Sequence, residues 1–273
     1  MCDTPFMLKN TNTGVSVPCG KCPTCKTRRV SAWSFRLMQE EKVSTSAIFL
    51  TLTYDTSNVP ITSKGYMSLR KSDLQKFFKL LRYYSTNKIR YYAVGEYGGK
   101  TMRPHYHIIL FNANYEHIGK SWKMGSWHVG NVTGASVGYT LKYISKSGKI
   151  PLHANDDRIP EFSCMSKGLG VNYCTEAMQR WHLDNLSERL YCLTDDGKKI
   201  SMPRYYKQRM FKKEESTSAG QEALRNKLVR DRVQYEKDLK LFGSHEAVER
   251  MRAERFKSKV NKLKIKSLKN EKL

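Results

Sequence analysis

Residues 89–111 read IRYYAVGEYGGKTMRPHYHIILF, and this stretch decides the fold. Its two ends, residues 89–96 and 104–111, are rich in β-branched and aromatic side chains, the composition of strands. Between them Gly98 and Gly99 form a turn that Pro104 closes, so the two segments are expected to pair antiparallel. Successive side chains of a strand point to opposite faces, which puts His105 and His107 on one face and Tyr106 on the other. If the turn sets Glu96 opposite His105, a carboxylate joins two imidazoles and the three groups can share a divalent ion. A His-x-His pair alone is more often two unrelated side chains on a half-exposed sheet, so the neighbouring segments decide its meaning.

Working outward, residues 47–54 (AIFLTLTY) alternate as a strand, and residues 126–132 (SWHVGNV) read as another. Residues 68–84 place Leu69, Leu74, Phe77, Phe78, Leu80 and Leu81 at helical spacing, and residues 135–147 place Val137, Leu141 and Ile144 on one helical stripe. The order strand, helix, three strands, helix predicts an α+β fold, an antiparallel sheet with helices packed on one face. The second helix carries the tandem YTLK and YISK, which sets Tyr139 and Tyr143 four residues apart and Lys142 and Lys146 four apart. Phenol is a weak nucleophile at its free pKa of about 10, so attack on phosphate needs a metal and a cation to stabilise the developing charge. Both are available within a few elements of chain, and this weighs catalysis ahead of packing for the paired tyrosines.

The 273 residues include 49 Lys+Arg against 25 Asp+Glu, a formal charge of +24. That excess points to a polyanionic partner. With 39% hydrophobic residues the chain can bury a core, which excludes wholesale disorder. It has neither a membrane-length apolar run nor a secretory apolar stretch at its start, so a soluble, intracellular protein without a membrane partner is expected. Seven cysteines in such a chain argue for reduced thiols. Cys19, Cys22 and Cys25 have close to zinc-ligand spacing; a structural Zn²⁺ would need a fourth ligand, for which Cys2, Cys164, Cys174, Cys192 or a histidine is a candidate. Residues 244–273 carry ten Lys/Arg against four Asp/Glu without Gly or Pro, and read as a basic helical tail behind a linker at residues 214–220, EESTSAG. The expected organisation is an N-terminal Cys-containing segment (1–46), a core with extension (47–213), and linker plus tail (214–273). Arg103, beside the candidate metal site, is the expected phosphate contact. Aromatic pairs such as Tyr83 and Tyr84 interleave with arginines in a manner suited to single-stranded DNA.

FLTLTY at residues 49–54, GEYG at 95–98, RPHYHIILF at 103–111 and GYTLKYISK at 138–146, in that order, resemble the motifs of HUH-type rolling-circle replication initiators. The set is most similar to the initiators of microviruses of the gokushovirus kind, and VPCGKCPTC, MSKGLG at 165–170 and PRYY at 203–206 extend the likeness over residues 17–206. The resemblance implies an RRM- or ferredoxin-like core in which Glu96, His105 and His107 hold Mg²⁺ or Mn²⁺. It implies that Tyr139 and Tyr143 are alternating nucleophiles, supported by Lys142 and Lys146. One tyrosine would nick the origin of phage DNA, single-stranded or replicative form, as a 5′-phosphotyrosine, freeing a 3′ hydroxyl for a host polymerase working with a helicase. The second would later rejoin the displaced strand, in the cytoplasm of a bacterial host. The competing expectations are a non-catalytic nucleic-acid-binding module, and a plasmid initiator or transposase of the same fold.

Overall fold

The computed structural model of the chain describes residues 2–7, 16–132, 137, 138, 140, 141 and 150–269, of which 16, 264 and 266–269 are described by their backbone alone. In chain order the elements are β1 (Phe6–Met7), β2 (Ser16–Val17), α1 (Pro23–Lys42), β3 (Ala47–Thr53), α2 (Lys71–Tyr84), β4 (Arg90–Tyr97), β5 (Pro104–Phe111), α3 (Glu116–Ser121) and β6 (Trp127–Asn131). They continue with β7 (Phe162–Met165), α4 (Glu176–Asp184), β8 (Tyr191–Leu193), β9 (Lys199–Ser201), α5 (Arg204–Met210), α6 (Lys213–Phe242) and α7 (His245–Lys269). The chain divides into two compact units, Ser34–Asn172 and the combination of Met1–Trp33 with Tyr173–Leu273. These divisions differ from the expected boundaries at 46/47 and 213/214.

The unit Ser34–Asn172 is built on a five-stranded sheet of order β6-β3-β5-β4-β7, every neighbouring pair antiparallel. The strands expected from the sequence are present within one or two residues. One face packs on α2, where Leu74, Phe77, Phe78 and Leu81 recur at helical spacing and are all buried. They meet Leu50 and Leu52 of β3, Ala93 of β4, and Tyr106, Ile108 and Leu110 of β5, with Ile118 of α3 and Trp122 closing the same core. Each such side chain contributes about 1.5–3 kcal/mol on burial, so truncating Phe77 or Phe78 would strip the helix from the sheet. The helix starts later than its periodicity suggests, at Lys71, because Arg70 is extended; Leu69 instead enters the core from the preceding segment.

Two phenols lie inside this core: the Tyr54 and Tyr106 hydroxyls are 2.8 Å apart, Tyr54 donates to Asp73 and Tyr106 donates to the Arg70 carbonyl. Burial pushes the Tyr106 phenol up to about 12. Neither has the exposure or acidity of a nucleophile, so the tyrosine of the His-Tyr-His triplet is structural.

The opposite face carries Thr51 and Thr53 of β3, Val94 and Glu96 of β4, and His105 and His107 of β5. At the other end of β4 on this face, Arg90 pairs with Glu40 of α1, whose carboxylate also accepts from the Gly170 backbone N–H at 2.8 Å. α1 therefore reaches the face opposite α2. Of the second helix expected at 135–147, Val137, Gly138, Thr140 and Leu141 are described and helical, and Val137, Thr140 and Leu141 are buried as its apolar stripe requires.

In the other unit β1 pairs with β2 and β8 with β9. His182 of α4 is fully buried between the Tyr173 hydroxyl and the Arg189 carbonyl. The linker read in residues 214–220 is helical: Glu215 accepts from the Lys212 N–H, and Glu214 and Glu215 place negative charge at the helix's positive end. The basic tail is helical as expected, and α6 meets α7 through Asp238 with Arg252 and Tyr235 with His245. Among the described residues no helix is long and apolar enough to cross a membrane.

Candidate metal centre

The register of β4 and β5 pairs Glu96 with His105 and Val94 with His107, so the carboxylate and both imidazoles rise from adjacent positions on one face. The strand register alone would allow many rotamers; the side chains converge. His105 Nε2 lies 2.7 Å and His107 Nε2 2.9 Å from the same atom, Glu96 Oε1. All three ligand atoms lie within 4.8 Å of one another. Glu96 is 2% exposed, whereas the His105 side chain is 19% exposed, so solvent and any larger ligand reach the group from the His105 side.

Supporting contacts orient the rings. His107 Nδ1 is 3.0 Å from Thr51 Oγ1, and its ring stacks on Phe49 at 5.5 Å between centroids. His105 Nδ1 is 3.2 Å from the Arg103 carbonyl oxygen. A carbonyl only accepts, so that Nδ1 carries the hydrogen, and in the neutral ring Nε2 turns a lone pair toward a carboxylate oxygen. Two lone pairs at 2.7 Å repel unless a proton or a cation lies between them. The second oxygen, Glu96 Oε2, is buried with no hydrogen-bond partner among the described residues, which adds another lone pair for a cation. The donor set of two imidazoles and a carboxylate with supported Nδ1 atoms therefore fits a divalent ion. Burial opposes ionisation of Glu96, but hydrogen bonds from His105 and His107 outweigh it and hold the carboxyl below its usual range.

Gly95 precedes the carboxylate for a steric reason: a Cβ there would come within 3.0 Å of Leu69 Cδ2 and 3.2 Å of the Phe162 ring. Arg103 lies next to the triplet, but its guanidinium donates to the Tyr54 carbonyl at 2.7 Å and reaches Thr56 Oγ1 at 3.4 Å. It fastens the β4–β5 turn to the end of β3, and only its remaining donors are left for a phosphate. Tyr139, Lys142, Tyr143 and Lys146 lie outside the described residues. Thr51 and Phe49 were not singled out by the sequence reading. The alternation in FLTLTY signals them, because a strand paired to PHYHIILF must set 49, 51 and 53 on the histidine face.

A second group of candidate ligands stands in the other unit: Cys19, Cys22 and Cys25 are brought together with Cys2, their Sγ atoms within 4.8 Å of one another. Cys164, Cys174 and Cys192 are not part of it.

Comparison with known proteins adds an independent line. The family model for replication-associated protein ORF2 matches residues 47–148, a stretch that holds Glu96, His105 and His107. Replication-associated protein ORF2 of Spiroplasma virus 4 is 31% identical over 228 residues, covering 75% of this chain and 70% of that relative. Replication-associated protein VP4 of Bdellovibrio phage phiMH2K is 28% identical over 214 residues, 69% of this chain and 65% of its own length. Replication-associated protein ORF4 of Chlamydia phage 1 is 23% identical over 216 residues, 70% of this chain and 52% of its own length. No solved structure matches the chain.

Proposed function

The chain belongs to the replication-associated protein ORF2 family, and on that premise we propose that it initiates rolling-circle replication of a single-stranded DNA phage by nicking DNA through a tyrosine beside a divalent metal centre. The observation that carries the reading is the convergence of His105 Nε2 and His107 Nε2 on Glu96 Oε1 inside the stretch the family model matches. Glu96, His105 and His107 would hold Mg²⁺ or Mn²⁺. When bound, such an ion polarises a phosphoryl oxygen and offsets the negative charge that develops on it.

The rest of the chemistry falls to the chain's own groups. Tyr139 or Tyr143 loses its proton as its oxygen bonds to the scissile phosphorus; the bond from phosphorus to the 3′ oxygen breaks, and that oxygen takes up a proton. The products are a 5′-phosphotyrosine and a free 3′ hydroxyl for a host polymerase to extend while a helicase opens the duplex. The other tyrosine repeats the attack on the regenerated origin, and the freed 3′ hydroxyl then displaces the first tyrosine and closes the strand. Lys142 and Lys146 neutralise backbone phosphate beside the phenols. Phage DNA, as single strand or replicative form, is the substrate, in keeping with a charge of +24.

The test is covalent capture. Incubation with a stem-loop or circular single-stranded origin DNA and Mg²⁺ or Mn²⁺ should yield a denaturation-resistant adduct, and peptide mapping should place the nucleotide on Tyr139 or Tyr143. Tyr139→Phe combined with Tyr143→Phe should abolish the adduct and leave salt-sensitive binding intact. An adduct that persists in the double variant, or cleavage that persists in chelator, would overturn the reading.

A further inference from the structure

We propose that Cys2, Cys19, Cys22 and Cys25 bind one structural zinc ion that fastens the N-terminal residues to the start of α1. The inference is independent of the nicking mechanism, because the cluster belongs to the unit that contains neither Glu96 nor the histidines.

Spacing within the sequence supplies three thiols and leaves the fourth ligand open. The fold supplies it. Pairing of β1 with β2 sets Phe6 opposite Val17, which carries residue 2 back alongside residue 19. Cys2 Sγ then lies 3.7 Å from Cys22 Sγ. A disulfide would require about 2.05 Å. The edge of a tetrahedron with Zn–S bonds of ~2.3 Å is about 3.8 Å. All four thiols are free, and the group is too compact to hold a multi-iron cluster, in which each thiolate binds a different iron.

Backbone N–H groups surround the sulfurs as they surround thiolates. Cys2 Sγ accepts from the Cys19 N–H at 3.2 Å. Cys19 Sγ accepts from Lys21 at 3.4 Å and from Cys22 at 3.2 Å. Cys22 Sγ accepts from Asp3 and from Cys25, each at 3.4 Å. A neutral thiol is a poor acceptor, whereas a metal-bound thiolate spreads its charge into such donors. The Cys19–Cys22 turn depends on Gly20, which takes φ +72° so that the two following N–H groups can face one sulfur.

The cluster has its own support. Asp3, next to Cys2, accepts from the Thr24 N–H at 3.2 Å and from the Thr24 hydroxyl at 2.8 Å, and so caps the first turn of α1 from a distance. Lys21 and Lys26 border the group and offset the net charge of −2 that four thiolates and Zn²⁺ carry. Among the described residues little else holds this segment: β1 and β2 have two residues each, and Phe6 and Met7 are exposed. A metal supplies the cohesion that the missing apolar core does not. Four soft, tetrahedrally disposed sulfurs select Zn²⁺ over Mg²⁺ or Mn²⁺, and with every position taken the site is closed to substrate.

The experiment measures metal in the full chain. Native mass spectrometry and elemental analysis should find one zinc per chain that survives dialysis against excess Mg²⁺. Replacing it with Co²⁺ should give thiolate-to-cobalt charge-transfer bands, which the imidazole–carboxylate centre cannot produce. Cys2→Ser should weaken zinc binding by at least ~10-fold, the scale set by losing even a supporting contact to a ligand. Cys164→Ser should leave it unchanged, and the charge-transfer bands should persist in His105→Ala with His107→Ala. Folded wild-type chain free of zinc, iron in its place, a cobalt form without thiolate bands, or unaltered zinc affinity in Cys2→Ser would each overturn the proposal. The cobalt spectrum uses the wild-type chain and so stands even if the Cys2 variant fails to fold.

Discussion

Thr51 Oγ1 lies 3.0 Å from His107 Nδ1, directly across the β3–β5 register pair. That hydroxyl orients the ring whose Nε2 faces Glu96, so its removal loosens a metal ligand without touching it. Thr51→Val keeps the shape and β propensity of the side chain and deletes the hydrogen bond. It should weaken divalent-ion binding about 10- to 100-fold while costing about 1 kcal/mol of stability. Thr51→Ser should restore most of the affinity. Manganese titration followed by electron paramagnetic resonance and a urea melt of each variant separate the two effects; equal metal affinity in all three would remove Thr51 from the centre.

The buried Glu40 carboxylate leads to a prediction about stability alone. It accepts from Arg90 at 3.1 Å and from the Gly170 N–H at 2.8 Å, and Glu40 is 4% exposed. Arg90→Met leaves that charge buried with a single neutral donor and should cost about 3–5 kcal/mol. Adding Glu40→Gln removes the stranded charge and should recover most of the loss. Chemical denaturation of the two variants reads this directly, and a double variant no more stable than Arg90→Met would mean the pair acts through packing.

Much of the fold was legible because the sheet strands are long and their alternation is strict. PHYHIILF became β5 without any change of boundary, and the Glu96–His105 register followed from a short Gly-rich turn. α1 was not legible: Trp33, Phe35 and Leu37 stand two apart, which imitates a strand, and the helix runs through both compact units and so lacks a single apolar stripe. β7 was missed because four residues, FSCM, form an edge strand defined by pairing with β4 rather than by a pattern of its own. Residues 214–220 look like a linker by composition, yet their Glu pair and Lys212 cap favour a helix start that Ser, Thr and Gly alone do not announce. Cys2 could not be selected from spacing, since its partnership depends on a long-range return of the chain.

His182 should make one unit of the protein acid-sensitive. Burial pulls its pKa below 6.5; the Arg189 carbonyl pulls the other way, and the Arg189 charge adds to the lowering. The unfolded chain therefore binds the proton more readily than the folded one. The stability contributed by the neutral, buried ring is complete above the unfolded value of 6.5 and is lost as pH falls through the folded-state value. The urea midpoint should drop between about pH 7 and about pH 5, and His182→Gln should flatten that dependence. An NMR titration of the ring that gives an unshifted midpoint would contradict the assignment.

The basic helix α7 presents Arg250, Arg255, Lys257, Lys259 and Lys262 to solvent, whereas Arg252 is tied to Asp238 at 3.1 Å. Exposed cations on one helix release counterions when they meet phosphate, and each contact adds about 0.7 to the salt slope on single strands and about 0.9 on duplex. If α7 lies on DNA, deleting residues 244–273 lowers the slope of log affinity against log salt by roughly 3 to 5. Truncation also strips Arg252 from the buried Asp238, so the substitutions Lys257→Gln, Lys259→Gln and Lys262→Gln provide the sharper measurement. They keep helix propensity and the α6 contact and should lower the slope by about 2 to 3. Fluorescence anisotropy across a salt series on single-stranded and duplex oligonucleotides reads both numbers. A slope that stays the same in both variants would assign α7 to a partner other than nucleic acid, since a phosphate contact cannot be removed without returning its counterion.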